Sequence, residues 1–167
     1  AHAQDTVSAI EFAETQSGTP LSTIEITTET VAPGLHVLFG AGGNIAVSIG
    51  EQGVLIVDDQ YPAIVPKIRD AIRALGGGDV DFVINTHWHF DHTNGNPLLT
   101  TTGSWVVSQA NSRQMMLADR IINLVNVRVE QPASPPEGLP VITYDDRLVF
   151  HFNDQQIELL HFGPAHT

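Results

Sequence analysis

Apolar positions fall in short runs separated by glycine or proline breaks, and their periods predict a mixed α/β chain. Leu21 to Val31 sets Ile24 and Ile26 among threonine and glutamate, the pattern of a half-buried strand. Pro33-Gly34 turns the chain into a second strand, Leu35 to Phe39. Ile45 to Ile49 follows as a third, and Gly50-Glu51-Gln52-Gly53 turns into Val54-Leu55-Ile56-Val57, a continuous apolar run suited to a strand covered on both faces. Between Ala63 and Leu75 the stripe Ile64, Ile68, Ala71, Ile72 and Leu75 has helical spacing. Pro62 and Pro66 come early enough to be tolerated, and Gly76-Gly77-Gly78 stops the helix. Val80 to Ile84 completes a strand–helix–strand unit, for which parallel pairing is expected.

Further on, Ser104 to Ser108 reads as a strand, and a helix is expected from Gln109 to Leu124 with Met115, Met116 and Ile121 turned inward as packing. Gln131 to Leu139 is a proline-rich loop. Leu148 to Phe152, Asn153-Asp154 and Gln156 to Phe162 read as a hairpin. Residues 1–20 lack a clean period from Gln4 onward and are expected to form an arm or weakly ordered lead-in to one domain spanning 21–167.

The chemistry concentrates after the strand that ends at Ile84. His87-Trp88-His89-Phe90-Asp91-His92 places three histidines and a carboxylate within six residues. His87 and His89 share a side of an extended backbone, and neutral imidazoles suit a borderline metal such as zinc. Asp91 and His92 add an oxygen and a nitrogen for the same ion or a neighbour. Trp88 and Trp105 could each line a pocket, although core packing is the commoner role for an aromatic, and Trp88, between two candidate ligands, has the better claim. His36, His151 and His161 sit on strands and are read as packed or solvated. Ala41-Gly42-Gly43-Asn44 could suggest a phosphate loop, but a strand follows it where a helix is required, so it is read as a hairpin connection. Asp58 and Asp59 close their strand where carboxylates can cap the coming helix, and Asp59 could equally edge a pocket.

Thr86 to Thr93, read together with Gly163-Pro164-Ala165-His166-Thr167 and Val54 to Asp58, resembles the ordered motifs of the metallo-β-lactamase-fold hydrolases over roughly residues 35–167. The resemblance implies an αββα sandwich, with its first half and the start of its second half in this chain. It implies one metal held by His87, His89 and His166, a second by Asp91 and His92, and Asp58 bracing the metal loop by hydrogen bonding. A bridging aspartate and a last histidine of the family pattern have no counterpart here, so the second site is short of ligands. A truncated enzyme, one segment of a two-chain arrangement and a half-fold without activity are the explanations. The implied reaction is hydrolysis of a lactam, lactone or thioester by a zinc-bound hydroxide, with Asp91 as the catalytic carboxylate. Histidine at position 89, where di-iron relatives carry glutamate, favours zinc, as one or two ions. A competing reading is a binding module, inactive or weakly metal-binding, that acts through an open sheet edge as a homo-oligomer or with a complementing chain.

Charge narrows the partners. Seven Lys+Arg against nineteen Asp+Glu give a net charge of −12, which disfavours nucleic acid and anionic membranes and leaves a small-molecule substrate. The chain has no cysteine, so neither disulfides nor thiolate ligands arise. Ala1-His2-Ala3-Gln4 reads as the end of a secretory signal, implying a periplasmic or secreted protein, or as a cloning remnant.

Overall fold

The computed structural model describes residues 5–164 and 166. Ala1-His2-Ala3-Gln4, with its export reading, lies outside the described residues, as do Ala165 and Thr167 of the second motif. Seven strands form the main sheet: β2 (Thr27–Ala32), β3 (Leu35–Phe39), β4 (Ile45–Gly50), β5 (Gly53–Val57), β6 (Phe82–Asn85), β7 (Trp105–Gln109) and β10 (Ile142–Tyr144). Their order is β10-β7-β6-β5-β4-β3-β2. Pairing is antiparallel from β2 to β5 and parallel from β5 to β10, with helix α2 (Val65–Ala74) crossing between β5 and β6.

Alternation along the central strands sorts their side chains into two cores. Val54, Ile56, Val83 and Val106 face the first core, where Ile64 before α2 and Ile68 and Ile72 within it are fully buried. Leu55, Ile84 and Val107 face the second, which the hairpin β11 (Arg147–Phe152) and β12 (Gln155–Leu160) covers with Leu148, Phe150, Phe152, Ile157 and Leu159. Phe82 meets Phe150 and Phe152 edge to face across that seam. Asn153 fixes the hairpin turn in place. Its side-chain amide donates to Ser48 Oγ and the Gly53 carbonyl at 3.1 Å each and accepts from the Gln52 N–H at 3.2 Å.

Four readings of the pattern need correction. The described part of the lead-in, from Asp5 to Pro20, is not a loose arm: Thr6–Ser8 is strand β1 and Ala9–Ser17 is helix α1, with Ala9 and Ala13 buried. Ser8 caps that helix through the Glu11 N–H, and Gly18 ends it at φ 70°. The stretch from Leu21 to Val31 is not one strand, because Leu21–Thr23 is a 3₁₀ turn and only β2 pairs. The long helix expected after Gln109 ends at Met116, as α5 (Ala110–Met116). Arg120–Asn123 then forms β8 against β9 (Arg128–Gln131), which also pairs with β1, so pairing overrides helix propensity there. In that register Ile122 enters the core, and Ile121 points to solvent.

Because Ile68 has no accessible surface at the centre of the α2 seam, Ile68→Ala is expected to cost about 2–5 kcal/mol. Urea denaturation should then show a lower midpoint at an unchanged slope.

Candidate metal centre

The carboxyl ends of β5 and β6 lie side by side, and both strands deliver polar residues there. After β6 the backbone runs through Thr86 to His89 and folds into the short helix α3 (Phe90–Thr93), with α4 (Asn96–Thr100) next. After β5 it enters the left-handed region at Asp58 (φ 66°), which turns the buried carboxylate under the loop that follows β6. One oxygen of Asp58 accepts the Thr86 N–H at 2.8 Å. The other accepts the Thr86 hydroxyl at 2.8 Å and faces His92 Nδ1 at 2.7 Å.

These contacts set the imidazole tautomers. A carboxylate only accepts, so His92 Nδ1 carries hydrogen. The Thr86 hydroxyl spends its proton on Asp58 and therefore accepts from His87 Nδ1, 3.0 Å away. Both rings thus present Nε2 to the centre. His87 Nε2 is buried without a hydrogen-bond partner among the described residues. The ligand atoms of His87, His89 and His166 lie within 4.8 Å of one another, and the ring centroids of His89 and His166 are 4.7 and 5.1 Å from that of His87. An unpartnered lone pair facing two more imidazoles at this spacing fits a divalent cation.

Asp91 and His92 form a pair beside this group. His92 Nε2 is 3.3 Å from Asp91 Oδ2, and the His92 ring centroid is 4.1 Å from that of His87. Neither His151, exposed on β11, nor His36 belongs to the cluster; His36 is buried against Thr30 Oγ1 at 3.0 Å. Trp88 does not line a pocket wall, for it is buried in the first core and its carbonyl accepts Gln131 Nε2 at 2.6 Å. Asp59 does not cap α2: it is fully buried and accepts the Gly95 N–H at 3.0 Å.

Several supporting groups are polar residues in or beside the motif with no ligand chemistry of their own. Thr86 transmits Asp58 to His87, Asn85 Nδ2 donates to the His92 carbonyl at 3.3 Å, and Thr93 Oγ1 donates to the His89 carbonyl at 3.1 Å. The Gly42-Gly43 turn presses on both members of the pair. A Cβ at Gly42 would lie 3.1 Å from Asp91 Cβ, and one at Gly43 would lie 2.5 Å from His92 Cε1. That contact was invisible from the local sequence because the turn is about fifty residues upstream in the chain.

Protonation divides the cluster. Burial, then neighbouring imidazoles, lowers His87 and His89 to about 4, so both rings are neutral near pH 7. Burial alone would also lower His92, but hydrogen bonds to Asp58 and Asp91 and their charges raise it to about 10. Asp91 is likewise opposed by burial, yet held below its ordinary value by His92.

The family model of the metallo-beta-lactamase superfamily matches residues 40–167. The chain belongs to that superfamily. Its fold resembles a class B3 di-zinc metallo-beta-lactamase from an Alaskan soil metagenome, with TM-score 0.70 and 19% identity over 88% of this chain and 56% of that one. A metallo-beta-lactamase of Cronobacter sakazakii gives TM-score 0.63 and 21% identity over 77% and 50%. A coenzyme F420H(2) oxidase of Methanothermobacter marburgensis is 29% identical over 62 residues, 35% of this chain and 15% of that protein. The chain therefore spans about half the length of the solved superfamily structures it matches, and its helix–sheet–hairpin layering is the superfamily's α/β fold over that part.

The opposed shifts have a consequence for stability without metal. Acidification from the ordinary histidine value of 6.5 towards 4 protonates the unfolded chain first at His87 and His89, so stability falls. A rise from 6.5 towards 10 removes the proton from the unfolded chain first at His92, so stability falls again. Denaturation in chelator is expected to show the wild type losing stability relative to His92→Gln as pH rises through that alkaline window. Parallel curves would contradict the Asp58–His92–Asp91 arrangement.

Proposed function

We propose that the protein is the metal-holding part of a zinc-dependent hydrolase acting on a lactam, lactone or thioester. The observation that carries this reading is the buried, unpartnered Nε2 of His87, grouped with the ligand atoms of His89 and His166. A divalent ion bound there supplies Lewis acidity and activates water near neutral pH. The chain's own contribution is orientation: Thr86 holds the Nδ1 proton of His87 and leaves its Nε2 available to bind, while Asp58 holds the Nδ1 proton of His92 and aims its Nε2 at Asp91. Asp91, kept as a carboxylate by His92, accepts a hydrogen bond from the attacking water and takes its proton. A second ion, if held by Asp91 and His92, would require His92 to release the extra proton it carries without metal.

The groups that complete the Asp91–His92 side come, in this reading, from a further chain segment or a second copy. The lone lysine and the net charge of −12 support a small-molecule substrate over a polyanion.

Metal content and hydrolysis of a lactam, lactone and thioester panel test the reading together. Wild type should retain zinc after dialysis, and His87→Ala should lose it. Asp91→Asn should keep the ion on His87, His89 and His166 while kcat/KM falls about 10²–10⁴-fold. Zinc retained by His87→Ala, or failure of the wild type to retain zinc, would overturn it.

A further inference from the structure

We propose that Gln60 is a positioning residue for the Asp91–His92 side of the site, acting through the glycine turn that follows β3. This extends the hydrolase reading and rests on it for the role of that side, although the contacts themselves do not involve a metal.

Gln60 is fully buried and adopts φ 58°, an unusual backbone for a side chain of this size. Both ends of its amide are spent on one turn. Oε1 accepts the Ala41 N–H at 3.1 Å, and Nε2 donates to the Gly43 carbonyl. The turn has been cleared to allow this approach, since a Cβ at Gly40 would sit 2.6 Å from Gln60 Oε1. Gly42, at φ 82°, requires glycine for its backbone as well.

The far side of the same turn touches the pair. A Cβ at Gly43 would be 2.5 Å from His92 Cε1 and 3.1 Å from His92 Nδ1, well inside contact. His92 is thus held in two ways. Hydrogen bonds to Asp58 and Asp91 fix its two nitrogens, and the turn closes off the face through which the ring would swing away. Gln60 keeps the turn closed. A residue that contacts no ligand therefore decides how long the His92 ring stays aimed at Asp91.

The test uses the chelator-treated chain and follows the exchange of the His92 Nδ1–H with water by NMR. Loss of both Gln60 hydrogen bonds in Gln60→Ala should speed that exchange about tenfold, while core amides such as that of Val54, bonded to Asp81, stay within about twofold. Gln60→Glu keeps the acceptor for Ala41 and loses the donor to Gly43, and should fall between. General loosening would instead accelerate the core amides in parallel. Exchange at His92 within about twofold of wild type in both variants would overturn the proposal. Should Gln60→Ala fail to fold, Gly43→Ala displaces the turn from His92 directly and should give the same local acceleration; unchanged exchange there would overturn it equally. Cobalt(II) titration separates this result from the function. The cobalt class lost in His92→Ala should weaken about tenfold in Gln60→Ala, and the class lost in His87→Ala should stay within about twofold. If the wild type bound no cobalt, the hydrolase reading would fall while the exchange measurement still decided the role of Gln60.

Discussion

Everything at the centre depends on one buried carboxylate. Asp58 accepts from the Thr86 amide and hydroxyl and from His92, and through Thr86 it governs His87. A buried carboxylate is costly without several donors, so the interaction that stabilises Asp58 also removes the freedom of two imidazoles. Its neighbours extend the same logic. The Asp59 N–H donates to the His92 carbonyl at 3.1 Å while the Asp59 side chain holds Gly95, and Gln60 holds the turn. Three consecutive residues after β5 thereby secure the loop after β6 from below, from behind and from the side.

That division of labour explains what could be read from the sequence. The candidate ligands His87, His89, Asp91 and His92 are local, packed into six residues by a strand end, so they are visible as a string. Val54 to Val57 and Phe82 to Ile84 are visible for a related reason, since strands buried on both faces need unbroken apolar runs. Thr86, Gln60 and the two glycines are ordinary residues whose roles arise only when β3, β5 and β6 come together. No periodicity encodes that.

The misread elements have the same kind of cause. Helix α1 buries alanines where large apolar residues would have marked a stripe, although Ser8, Glu11 and Gly18 carried its start and stop. At Met116 no glycine or proline announces the end of α5, because the decision comes from β-pairing with residues on both sides in sequence. Trp88 was drawn toward the pocket by its neighbours, but an extended backbone that aims His87 and His89 at the centre sends the residue between them into the core.

His87 and His89 follow the central strand β6 of the main sheet, whereas His166 follows the hairpin that covers the opposite core. A shared ion would therefore act as a cross-link between two layers, closing a chain loop of 77 residues from His89 to His166 (166 − 89). By mass action such a bond stabilises only the arrangement in which the hairpin is docked. Metal supply and the seating of that layer are then one equilibrium: scarcity of the ion would loosen the hairpin seam before it loosened α2, and proteases would find the covering layer first.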